Sequence, residues 1–111
     1  MCNWVMFMVK LIDMSVKECI EHLRVVKRNI ETKLSDAISS RNRAMYMNAP
    51  HIWYTSDRDA REISYDLDRI NRFIQIITNA DPNEKIGDLI KRGVVSMGFV
   101  FEIDRIISKY M

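Results

Sequence analysis

Over long stretches of this chain the apolar residues fall three and four positions apart, the spacing that keeps one face of an α-helix apolar. Val16 opens one such series, which continues through Ile20, Leu23, Val26, Ile30, Leu34 and Ala37, while Arg24, Lys27, Arg28, Glu31 and Lys33 take the remaining surface. Ser15 and Glu18 have the spacing of a capping box, in which the hydroxyl and the carboxylate each satisfy a backbone N–H that the first turn leaves open. A helix over about 15–38 follows. Ser39 and Ser40 weaken helix propensity without stopping it. A helix running on to Met47 would be roughly 50 Å long, against a radius of gyration near 13 Å for a compact chain of this size. It must therefore break at Ser39–Ser40 or project as an arm, and the break is the expectation carried forward.

The second series is Ile63, Leu67, Ile70, Ile74 and Ile77, with Phe73 beside it and Arg61, Asp66, Asp68, Arg69 and Arg72 facing out. Ser56 as cap, Asp57 and Asp59 in the first turn and Asn79 as terminator predict a helix over 56–79. In "DPNE", Asp81 reads as a cap, Pro82 as the first helical residue and Glu84 as the closing member of a box. Ile86, Leu89, Ile90, Val94, Met97, Val100, Phe101, Ile103, Ile107 and Tyr110 extend that helix over 82–110. Gly93 and Gly98 each cost about 1 kcal/mol there, which predicts a kink near Gly93; "VVSMGFVFEI" read as a strand is the alternative. The expected fold is all-α: a small bundle of three main helices, the last two antiparallel across their short turn, with a long crossover loop between the first two.

Composition agrees with this picture. The 111 residues suit one domain, 48% hydrophobic residues suffice for a core, and three Gly and two Pro disfavour a turn-rich β fold. The domain is expected over 14–111. Residues 1–13, "MCNWVMFMVKLID", read as an N-terminal extension, with translation from Met14 an alternative; their apolar run stops at Lys10, short of the ~20 residues that span a bilayer. A net charge of +2 does not imply nucleic acid by itself. Residues 14–47 hold seven basic against four acidic residues and 48–81 four against six, a mild dipole and not a phosphate-binding stripe. Cys2 and Cys19 are too few for a disulfide-stapled secreted domain, and a reducing cytoplasm is the default.

No pattern for chemistry stands out. His22, His51, Cys2 and Cys19 do not make a four-ligand zinc set, "GVVSMG" lacks the spacing of a nucleophile elbow, and there is no phosphate-cradling glycine loop. Asp66 and Asp68 are two apart, so a helix points them in different directions. Neither catalysis nor a cofactor or metal is expected.

The stretch "RNRAMYMNAPHIWYTSDRDA" differs from its surroundings. Arg41, Arg43, Tyr46, Met47, Pro50, His51, Trp53 and Tyr54 combine the Arg, Met and aromatic types enriched at the centres of protein interfaces. Rings tucked under the connection as extra core are the plain alternative, and bases stacking on Tyr46 and Trp53 a second one. A protein-docking surface is the favoured reading.

The segment "VKECIEHLRVVKRNIETKLSDAISSRNRAMYMNAP" and the turn "NADPNEKIGDLI" resemble the small anti-RecBCD accessory proteins of lambdoid phages, over most of residues 14–111. The resemblance implies a non-enzymatic regulator in the host cytoplasm. It would bind the host RecBCD helicase–nuclease through its RecC subunit and inhibit or modify it, so that linear phage DNA survives for recombination. It also implies a host cyclophilin-type peptidyl-prolyl isomerase as a further partner, with Asp81 and Pro82 as the contact. The rival expectations are a generic α-helical adaptor or self-associating module, and a small DNA-binding regulator. The long connection between helices one and two argues against a helix-turn-helix.

Overall fold

The computed structural model describes residues 11–111. A short 3₁₀ turn, Leu11–Asp13, leads into four α-helices: α1 (Val16–Tyr46), α2 (Pro50–Thr78), α3 (Ile86–Lys91) and α4 (Met97–Tyr110). The all-α expectation holds, but the helix count and the crossover are corrected. α1 passes through Ser39 and Ser40, and α2 begins at Pro50 instead of Ser56, so only Met47–Ala49 joins them. At 31 residues α1 is roughly 46 Å long, and the molecule extends 52 × 36 × 21 Å with a radius of gyration of 16.8 Å. The first two helices form a hairpin arm that overhangs its own core.

Small side chains hold the arm together where the sequence pattern fades. Ala44 and Ala60 are buried, and the Ser40 and Ser56 hydroxyls meet at 3.0 Å. Ser56, expected as a helix cap, is therefore a buried residue inside α2. At the turn Asn48 takes φ +52°, a left-handed conformation that Asn tolerates better than most residues. The N–H groups of Met47 and Ala49 donate to the carbonyls of Arg43 and Ala44 at 3.0 Å each, closing the end of α1. Pro50 then opens α2 at a position where a missing N–H costs nothing.

The third expected helix is corrected as well. Pro82 lies in a turn: the Asp81 carboxylate accepts from the Asn83 N–H at 2.9 Å, and the Asp81 carbonyl from the Glu84 N–H at 3.0 Å. This turn crosses the start of α1. The Val16 N–H donates to the Glu84 carbonyl at 2.8 Å and the Lys17 N–H to the Pro82 carbonyl at 3.0 Å, so two donors that a helix start leaves open find partners. Ser15 caps as expected, accepting from the Glu18 N–H at 3.2 Å, but the Glu18 carboxylate accepts from the Ser15 hydroxyl and not from its backbone. At Gly93, φ +75°, the chain breaks fully between α3 and α4 instead of kinking.

The core occupies the half of the molecule away from the hairpin turn. Val16, Cys19, Leu23, Val26 and Ile30 of α1 face Ile70, Phe73 and Ile77 of α2, and Ile86, Leu89, Val100, Ile103 and Ile106 close over them. Phe73 is fully buried and packs edge-on against Phe99 at 5.3 Å. Phe101, expected in the apolar stripe, is instead 52% exposed. Leu11 is buried in the same core, so the packed unit begins ahead of Met14; residues 1–10 of the expected extension lie outside the described residues. Among the described residues no helix is long and apolar enough to cross a membrane.

Candidate partner-docking site

The last turns of α1 and the first of α2 carry the arm's tip, beyond the reach of α3 and α4. Most of the singled-out residues meet there. Arg43, Tyr46, Met47, Pro50, His51 and Tyr54 are all exposed, Tyr46 to 92% and Tyr54 to 69%. Trp53 is half-buried and sets its ring edge-on to Tyr54 at 5.3 Å and 85°. With Ala44, Ala49 and Pro50 it lines a shallow apolar hollow of about 270 Å³. Two more members escaped the sequence reading: Met45, 71% exposed, and Ile52, 45% exposed. Their signal was present as apolar residues within the same unusual stretch.

Arg41 is corrected. Its Nη1 lies 3.0 Å from Asp57 Oδ1, while Arg61 Nη2 holds Asp57 Oδ2 at 2.8 Å. Asp57 is largely buried between the helices, so Arg41 neutralises a charge within the arm. The tip's remaining charge is of one sign, since no Asp or Glu occurs from Ala37 to Ser56. Asp81 and Pro82 do not join this cluster. They sit in the exposed turn beside Lys17, roughly 44 Å along α1 from Tyr46.

The arm also has an open side. Where α4 ends at Tyr110, the groove between α1 and α2 continues uncovered by any described residue, a space of about 530 Å³ bordered by Asp36, Ala37, Asp59, Glu62, Ile63 and Tyr110. Below it Asp66, expected on a solvated face, is buried and accepts from the Tyr110 hydroxyl at 2.7 Å and from Lys109 Nζ at 2.8 Å. Burial first, and this hydrogen bond second, hold the Tyr110 phenol well above its usual range. In the core, burial and then the Asp104 charge push the Cys19 thiol up to about 12, which leaves it protonated and unreactive at neutral pH. Among the described residues no three potential metal ligands come together. What the tip offers is surface: apolar area, ring faces and positive charge on a projecting rod.

No family model matches the chain, and neither a curated protein nor a solved structure does.

Proposed function

We propose that this chain is a non-enzymatic docking protein that presents the tip of its helical arm to a protein partner, and that the partner is the host RecBCD helicase–nuclease. One observation supports docking: Met45, Tyr46, Met47 and Tyr54 stand 69–92% exposed together at the arm's end. Apolar patches of this kind on a soluble domain mark interaction sites, and Tyr and Arg dominate binding energy when an interface closes over them. Arg43 supplies the charged member of the set. The identity of the partner rests on the sequence resemblance alone. In that reading the protein works in the host cytoplasm, holds the enzyme at its RecC subunit, and restrains its attack on linear phage DNA. A cyclophilin-type prolyl isomerase would meet the exposed turn at Asp81–Pro82, at the other end of α1.

The test uses purified RecBCD and linear duplex DNA. Adding the protein is expected to slow degradation, and a Tyr46→Ala, Tyr54→Ala double variant is expected to weaken binding by about thirtyfold or more, as loss of roughly 2 kcal/mol at a binding hot spot would, with an unchanged helical CD spectrum. Undiminished degradation and no binding at micromolar concentrations would remove RecBCD as the partner. Equal binding by the variant would remove the tip as the site.

A further inference from the structure

The tip and the open groove are complementary. The tip is apolar and aromatic, carries Arg43 exposed and without a salt bridge among the described residues, and belongs to a run from Ala37 to Ser56 that contains no carboxylate side chain. The groove offers apolar walls at Ala37, Ile63 and Tyr110, with Asp36, Asp59 and Glu62 exposed at its edge. Of its two lysines, Lys109 is paired with Asp66 at 2.8 Å, while Lys33 lies over the Tyr110 ring at 5.8 Å and keeps its charge. Asp36 and Glu62 form no salt bridge among the described residues, and Asp59 has only Arg58 at 4.0 Å. Asp36, Asp59 and Glu62 outnumber Lys33, so the groove's balance of charge is negative and the tip's is positive.

We infer that two copies of this chain pair through their arms, the tip of each seated in the open α1–α2 groove of the other. This rests on the tip being a docking surface, as argued above, and goes beyond it by naming a second copy as an occupant. Charge decides the arrangement. Tip against tip would oppose positive patches and groove against groove negative ones, and like charges across an interface cost affinity. Tip in groove pairs opposite signs. Because both patches lie on one arm, two antiparallel arms related by a twofold axis make the contact twice, which closes the assembly at a dimer. The dimer covers Tyr46 and Tyr54, so another protein that takes the tip must compete with it.

Sedimentation velocity and light scattering on the full chain test the pairing, from low micromolar to roughly 100 µM. A monomer–dimer equilibrium that weakens with added salt is expected. Arg43→Glu and Glu62→Lys, both exposed substitutions whose folding CD can verify, should each weaken dimerisation about tenfold, and the double variant should recover to within about threefold of the parent. A monomer throughout, a dimer indifferent to both substitutions, or a double variant no better than the worse single one would overturn the inference. The measurement contains no other protein, so its failure leaves docking to RecBCD standing, and failure of the RecBCD assay leaves the dimer standing.

Discussion

Arg41 and Asp57 face each other across the helical arm, Nη1 to Oδ1 at 3.0 Å, although sixteen residues separate them in the chain. The pair sits one to two turns below the hairpin tip, beside the Ser40–Ser56 contact, where the hydrophobic core no longer reaches. Asp57 is largely buried, and Arg41 and Arg61 both reach its carboxylate. The arm's alignment depends on polar contacts as much as on apolar ones.

Removing either member should therefore loosen the arm. Arg41→Ala and Asp57→Ala are each expected to cost about 1–2 kcal/mol in urea unfolding. The double-mutant cycle should return a coupling near 1 kcal/mol. A coupling of zero would mean that the pair is incidental.

The Tyr110–Asp66 contact predicts how stability responds to alkali. The phenol's value is raised in the folded state, so its contribution is complete below the ordinary tyrosine value of about 10 and is lost as pH rises toward the folded-state value. Tyr110→Phe removes the hydrogen bond to a buried carboxylate and should cost about 1–3 kcal/mol at neutral pH. The variant's stability should also fall less steeply above about pH 10. Parallel curves for the two proteins would contradict the assignment.

Cys19 should resist thiol reagents in the native protein. In a Cys2→Ser background it is the single thiol, and its buried sulfur with a value near 12 predicts no labelling at neutral pH until the chain is unfolded. Rapid stoichiometric labelling without denaturant would show that this part of the core opens readily.

The tip turn offers a backbone test. Asn48 holds φ +52°, so Asn48→Gly should change stability by no more than a few tenths of a kcal/mol, while a β-branched Asn48→Val should cost about 1–2 kcal/mol. Thermal unfolding followed by CD distinguishes the two. A neutral Val variant would mean that the turn adopts another conformation at little cost.

The starts and stripes of the first two helices in the lower half were legible because their signals are local and periodic. Ser15 caps α1, Asn79 ends α2, and the stripe from Val16 to Ile30 faces inward as its spacing predicts. The upper half was not. What carries α1 past Ser39 is the fit of Ser40, Arg41 and Ala44 to Ser56, Asp57 and Ala60, contacts between residues that no short window brings together. Pro50 opens α2 by the reasoning applied to Pro82, although the expected helix start was Ser56. Pro82 instead serves a neighbour, its carbonyl accepting from Lys17, and nothing near it in sequence says so. For the candidate site, composition singled out a stretch that lies at the arm's tip, but only coordinates separate Arg41, paired with Asp57, from the exposed Arg43.

The turn at Pro82–Glu84 has a consequence for the order in which the chain assembles. Hairpin contacts link neighbours in sequence and can zip downward from Asn48 once both helices of the arm exist. The first turn of α1, by contrast, waits for carbonyls that leave the ribosome much later. A nascent chain stopped before Pro82 would therefore lack both acceptors at the root of the arm.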